Sequence, residues 1–246
     1  MPHLSGIRIS VSDPAQLAEF YTTHLGMTAR EERDGWRVGF SGSDADMLLM
    51  PGGLAYWHAT TDRYWKIGLT LPNVDLAHAQ LGASGIEVST PHQFRDIGYM
   101  CHLRDPAGFG IELLQHHFEG NRPDHLGDPA QPLGGGARVG QITLRTGDIN
   151  ATRTTCEGLG MRLLSVQPVR EPDFDLYFWA FTNETPPNND LYAVENREWL
   201  WQRPYTTLEF QHVEGLKPTV NTGYVGLEID GQPSDAFKGH QAENRP

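Results

Sequence analysis

The sequence predicts an α+β fold of tandem modules, each a strand, a helix and two or three further strands (βαβββ), with the last module truncated. Three observations predict it. A strand-cap-helix pattern recurs along the chain, each copy switches from period-two to helical spacing, and a Pro/Gly-rich break lies near the middle. Residues 6–27 read GIRISVSDPAQLAEFYTTHLGM, residues 66–88 read KIGLTLPNVDLAHAQLGASGIEV and residues 140–161 read GQITLRTGDINATRTTCEGLGM. Residues 223–230, GYVGLEID, read as the first strand of a fourth copy. Repeats of this kind decide the architecture before any single element does.

Within the first copy, Ile7, Ile9 and Val11 alternate with Gly6, Arg8 and Ser10, the pattern of a strand with two unlike faces. Ser12 or Asp13 can cap the helix that follows, with Pro14 in its first turn. Leu17, Phe20 and Tyr21 then recur at helical spacing, and Gly26 stands where a helix ends. Strand-rich segments follow at Trp36–Phe40 and Met47–Met50. The third copy is longer, with an insert near 182–205. The fourth begins at about Val220, and only the residues to Pro246 remain for it.

Between His116 and Arg138 the chain runs EGNRPDHLGDPAQPLGGG, without periodicity. It reads as an exposed linker, 118–136, between residues 1–117 (modules one and two) and residues 137–246 (module three and a partial module four). The 246 residues carry 19 Lys+Arg against 31 Asp+Glu, a formal charge of −12, which argues against nucleic acid as a partner. No run of 18 apolar residues predicts a membrane helix, and the N-terminus lacks a basic segment followed by an apolar one. Cys101 and Cys156 are the two cysteines, too few for a disulfide framework and not a metal knuckle. The expectation is a cytoplasmic protein acting on a small molecule, without nucleic-acid or membrane partners. The short fourth module leaves room for completion by a second copy in a homodimer.

FYTTHLGM in module one and RDPAGFGIELLQ in module two resemble the vicinal oxygen chelate superfamily, which contains glyoxalase I, bleomycin-resistance proteins and extradiol dioxygenases. The resemblance covers nearly the whole chain outside the linker. It implies paired βαβββ modules, two glyoxalase-like domains, each pair curling a sheet around a cavity. Module three, with Gln141-Ile-Thr-Leu-Arg145, LGM, FDLYFWAF and TTLEFQH, is most similar to glyoxalase I. That likeness implies Gln141 and Glu209 as metal ligands and Arg145 as a clamp for the carboxylate of a thiol carrier. Strand arithmetic agrees in placing Gln141, Thr143 and Arg145 on one face, with Ile142 and Leu144 on the other.

The same register puts Gly6, Lys66, Gln141 and Tyr224 at the strand-one ligand position. It puts Leu48, Glu112 and Glu209 at the strand-four position. Modules one and four then offer no ligands, and modules two and three offer Lys66, Glu112, Gln141 and Glu209. If modules two and three face each other, one cavity holds the site. Lysine stands where the family has histidine. A protonated ammonium cannot ligate a metal, and carboxylates beside it raise its pKa. Lys66 therefore replaces the metal, or His102, on the cavity face with Met100, completes a shell suited to zinc, nickel, cobalt or iron. Lys66 snorkelling to solvent is a third reading. His116 and His117 point to opposite strand faces and cannot chelate together. Leu176, Phe178, Trp199 and Trp201 read either as pocket wall or as plain core.

The resemblance implies a glyoxalase I-like lyase or isomerase acting on a small carbonyl compound, with Glu112 or Glu209 as the base. The alternative is a metal-free binding or resistance protein of the same superfamily. A ring-cleaving dioxygenase needs two histidines and a carboxylate on iron, and Gly6, Lys66 and Tyr224 stand where histidines belong.

Overall fold

The computed structural model describes residues 1–42, 45–53, 56–219 and 223–239. Val220, the expected start of module four, lies outside them. Module one comprises β1 (Leu4–Val11), α1 (Pro14–Leu25), β2 (Thr28–Glu32), β3 (Gly35–Gly39) and β4 (Asp46–Pro51). Module two comprises β5 (Tyr64–Leu71), α2 (Val74–Ala83), β6 (His92–Phe94), β7 (Gly98–Arg104) and β8 (Gly110–Gln115). Module three comprises β9 (Arg138–Thr146), α3 (Ile149–Gly158), β10 (Arg162–Val169), β11 (Phe174–Ala180), α4 (Glu195–Trp201) and β12 (Thr207–His212). The partial module four gives β13 (Tyr224–Ile229) and β14 (Gln232–Pro233). Among the described residues no helix is long and apolar enough to cross a membrane.

The three module helices start in the same way. Asp13, Asn73 and Asp148 are extended, and their side chains accept from the backbone N–H of Gln16, Leu76 and Ala151. Each satisfies a donor that the first helical turn leaves unpaired. Helix α1 ends at Gly26, whose φ of 70° favours glycine. Apolar faces of β1, β5 and β9 (Ile7, Ile67 and Ile142 among them) join Tyr21 of α1, Ala77 of α2 and Cys156 of α3 in the main core. A smaller apolar cluster of Met100, Leu114, Leu176, Phe178 and Trp201 forms apart from it.

The sheets cut across the expected division at the linker. An eight-stranded sheet runs β10-β11-β12-β9-β5-β8-β7-β6, so modules two and three share it. Its centre is the antiparallel β5–β9 ladder, in which Lys66 faces Thr143 and Gly68 faces Gln141. A six-stranded sheet runs β14-β13-β1-β4-β3-β2, joining module one to the partial module four. Aperiodic Pro/Gly-rich sequence reports a lack of regular structure, not a lack of pairing across it, which is why the linker misassigned the partners.

The linker is not a free strap either. Asn73 Nδ2 donates to the Leu126 carbonyl, and Gln80 Nε2 donates to the carbonyls of Pro129 and Gln131. Leu133 is buried in the main core. A Cβ at Gly26 would meet the Pro132 ring at 2.4 Å, so the linker also packs on the end of α1. Prolines and glycines here build a turn that is largely exposed but docked near Leu126–Leu133 on α1 and α2.

Candidate active site

The site is written across two neighbouring rows of the eight-stranded sheet. In one row His102 faces Glu112, Glu112 faces Gly68, and Gly68 faces Gln141. In the next, Lys66 faces Thr143, Thr143 faces Glu209, and Glu209 faces Phe178. Period-two alternation puts these side chains on the face opposite Ile67, Ile142 and Leu144, which the core takes. Lys66 and Gln141 hold equivalent places in the two modules, related by the antiparallel ladder.

Of these, Lys66, His102, Glu112, Gln141, Phe178 and Glu209 line one cavity of about 340 Å³. Lys66, Glu112, Gln141 and Glu209 bring its polar groups. Met100, Leu114, Leu176, Phe178 and Trp201 make much of its apolar wall. Trp201 meets Phe178 edge-on at 5.3 Å and donates its indole N–H to the Ile97 carbonyl at 3.0 Å. Trp65, Lys66 and His102 also border a wider groove of about 670 Å³.

Lys66 Nζ donates to Glu112 Oε2 and lies 4.6 Å above the Trp65 ring. The same carboxylate oxygen is 2.9 Å from His102 Nε2. Lys66 and Glu112 are almost wholly buried, whereas the His102 side chain is 46% exposed. Glu209 Oε2 accepts from Thr143 Oγ1 at 2.6 Å, and its other oxygen has no hydrogen-bond partner among the described residues. Gln141 is 2% exposed, and its Nε2 has no acceptor among the described residues. Gly68 makes room for this amide, because a Cβ there would lie 2.9 Å from Gln141 Oε1.

The electrostatics separate the two carboxylates. Burial opposes the Lys66 charge, but Glu112 and Glu209 outweigh it and hold its pKa above the usual lysine value. Burial would raise Glu112 as well, but Lys66 and His102 pull it well below the ordinary carboxylate range. For Glu209 burial prevails over the attraction of Lys66, and repulsion from Glu112 adds to it, so its pKa is raised.

Residues 2–113 match the model of the Glyoxalase/Bleomycin resistance protein/Dioxygenase superfamily. The backbone is similar to that of glyoxalase I from Zea mays, with a TM-score of 0.66 over 93% of this chain and 74% of that one, at 17% identity. A putative dioxygenase from Bacillus subtilis subsp. subtilis str. 168 has a TM-score of 0.52 over 94% of this chain and 67% of that one, at 15% identity. The fold is that of the vicinal oxygen chelate superfamily. At these identities the structural likeness carries the fold and not the reaction. No curated protein matches the chain in sequence.

Of the residues singled out from the sequence, Lys66, Met100, His102, Glu112, Gln141, Leu176, Phe178, Trp201 and Glu209 border the cavity. Arg145 does not. Its Nε donates to Gln211 Oε1 at 2.8 Å, and its Nη1 donates to the carbonyls of Asp62 and Tyr64 at 3.0 and 3.2 Å. Those acceptors hold the guanidinium against the start of β5 and the segment before it, outside the cavity lining where the resemblance implied a clamp. Trp199 is also outside the cavity lining, unlike Trp201.

Trp65 was missed for an instructive reason. Alternation with Lys66 assigns it to the other face, but the β5–β9 register slips between Tyr64 and Lys66. A bulge of this kind re-aims the extra side chain, and Trp65 reaches the cavity. Phe94, on the three-residue β6, and Phe174, at the start of β11, gave no signal beyond their aromatic character. In the six-stranded sheet Gly6 faces Glu228, whose carboxylate accepts from Arg37 Nη1 at 2.8 Å. An ion pair occupies that place.

Proposed function

We propose that the protein is a lyase or isomerase that moves a proton on the carbon beside a carbonyl of a small, largely apolar compound, without a metal. One observation carries this reading: two buried carboxylates flank one ammonium, and their surroundings push their proton affinities in opposite directions. Such a split marks the acid–base partners of an active site.

A divalent metal is what the superfamily resemblance implies, and the donor set does not fit it. Lys66 puts a protonated ammonium against Glu112, where a ligand to the ion would have to offer a lone pair. Among the described residues no group of three His, Cys, Asp or Glu is placed to hold an ion. We therefore assign the fixed positive charge of the site to Lys66.

Glu209 is the base. One of its oxygens has no hydrogen-bond partner among the described residues, and a raised pKa brings its proton affinity closer to the working pH. Glu112 is tied to Lys66 and His102 and serves to keep the ammonium charged. With an α-hydroxy carbonyl compound, Glu209 takes the carbon-bound proton and the electron pair moves onto the carbonyl oxygen. The Lys66 ammonium offsets the charge that develops there. Glu209 returns the proton to the neighbouring carbon while the hydroxyl proton passes to the other oxygen, giving an isomer of the starting compound.

The apolar wall also supports a second reading, a protein that sequesters an aromatic molecule without changing it. 2-Hydroxyacetophenone in D₂O separates the two. Proton transfer replaces the CH₂ hydrogens by deuterium, seen as loss of their NMR signal. We expect the protein to accelerate this loss, and Glu209→Gln to lower the acceleration by about 100-fold or more, the range of a positioned general base. Binding without acceleration favours the sequestering protein. Acceleration that survives in Glu209→Gln removes Glu209 from its role.

A further inference from the structure

We infer that the cavity takes a neutral aryl ketone, with its carbonyl oxygen received by Gln141 Nε2 and the Lys66 ammonium. The inference rests on the proposed proton transfer for its chemistry, but not for binding.

Gln141 Nε2 is a buried donor with no acceptor among the described residues, and its side chain borders the cavity. A buried donor without a partner is costly, and such groups call for an explanation. An oxygen entering the cavity supplies one when the terminal amide turns its N–H toward it, a soft rotation about the last side-chain bond. The architecture keeps this amide in place: Gly68 opposite it leaves space that any side chain would fill. Lys66 is the diagonal neighbour of Gln141 across the β5–β9 ladder, about 7–8 Å apart between backbones. Both side chains are long enough to meet over one oxygen.

The floor holds two carboxylates, Glu112 and Glu209, and one ammonium. Lys66 is already paired with Glu112, and the guanidinium of Arg145 is engaged with Gln211 and backbone carbonyls. A ligand carboxylate would therefore enter beside Glu209 without a cation of its own. A carbonyl oxygen takes the same donors without that repulsion.

Phe178 lies in register with Glu209, and Phe174, Leu176 and Trp201 continue the apolar surface. The volume of about 340 Å³ is more than twice the roughly 150 Å³ of an engineered cavity that holds benzene. It accommodates a ring or fused pair of rings with a short oxygenated arm. An aromatic ring directly on the carbonyl places a flat apolar body against these side chains while its oxygen reaches the floor.

The test compares three probes of similar size by calorimetry and tryptophan fluorescence: 1-tetralone, tetralin, which lacks the oxygen, and 1-naphthoate, which carries a charge. We expect 1-tetralone to bind at least about tenfold more tightly than tetralin, the scale of a hydrogen bond to a charged donor, and 1-naphthoate to bind more weakly than the ketone. Gln141→Leu keeps the volume and removes the orphan donor. It should reduce the ketone's advantage several-fold while leaving tetralin binding unchanged. Equal binding of ketone and hydrocarbon, an undiminished ketone advantage in Gln141→Leu, or preference for the carboxylate would overturn the inference. Wild-type protein separates it from the proposed reaction: ketone selectivity without acceleration of deuterium exchange upholds the binding site and rejects the catalysis. Selectivity that persists in Glu209→Gln while exchange is lost upholds both.

Discussion

Replacing Lys66 by methionine removes the ammonium but keeps most of the side chain's bulk, leaving Glu112 and Glu209 buried with no cation between them. The Lys66 and Glu112 side chains are 8% and 3% exposed, so solvent does not screen their pairing. Breaking a buried pair by removing one partner costs about 3–5 kcal/mol. The same pairing shows in the Glu112 carboxyl, which Lys66 and His102 together hold well below the ordinary carboxylate range. For a chain of this length the loss lowers the melting temperature by about 6–20 °C.

The sign with pH follows from the same pair. A carboxylate with a lowered folded pKa stabilises the protein above its unfolded pKa, and that contribution is lost as pH falls through about 4 toward 2. In Lys66→Met the Glu112 carboxylate has lost its ammonium, its pKa rises, and protonation relieves the variant. The gap between wild type and variant is therefore widest near pH 7 and narrows steadily toward pH 3. Urea unfolding followed by tryptophan fluorescence at pH 7 and pH 4 measures it. Adding Glu112→Gln to the variant removes one of the bare charges and recovers part of the loss at pH 7. A deficit below about 1 kcal/mol at pH 7, or the same deficit at both pH values, would refute the reasoning.

Lys66→His should create a tighter site for Zn²⁺ or Ni²⁺ than the wild type has, because a neutral imidazole joins two carboxylates and an amide oxygen. Calorimetry with each ion checks it, and binding should weaken at low pH as imidazole and carboxylates protonate. A wild type that binds these ions as tightly would contradict the assignment of the positive charge to Lys66. Limited proteolysis with mass analysis of early fragments should cut the linker near Pro123–His125, where the residues are exposed and Arg122 is the last side chain tied down, by Asp75. It should spare 126–134, which Asn73 and Gln80 hold down. First cuts inside 126–134 would show that this docking does not protect it.

Sequence alone makes the local devices legible. Asp13, Asn73 and Asp148 cap as their position before an apolar helical stretch implies, since a cap depends on residues three apart. Alternation along β7 and β9 places Met100, His102, Gln141 and Thr143 on the cavity side, since a strand's faces depend on the strand itself. What the sequence hides depends on partners far along the chain. Arg145 lies on the anticipated face of β9, yet carbonyls of residues 62 and 64 capture its guanidinium before it reaches the cavity. Trp65 needs knowledge of a register slip that exists only when β5 meets β9. The module pairing is invisible for the same reason: four similar first strands each offer an edge, and nothing local says which two will join.

That pairing has a kinetic consequence. Leu4 meets Ile229 and Ile7 meets Leu227 in the β1–β13 ladder, so nearly the whole chain must exist before the six-stranded sheet closes. Contacts so distant along the chain raise the contact order and slow folding. During synthesis β1 waits beside β4 with one edge unclaimed while modules two and three are made and their strands assemble. An open edge is a template for another chain, and β13 of a second molecule presents the same complement as the chain's own. Exchange of the C-terminal hairpin between nascent molecules is therefore the natural folding error of this architecture, favoured by high expression and disfavoured by dilution.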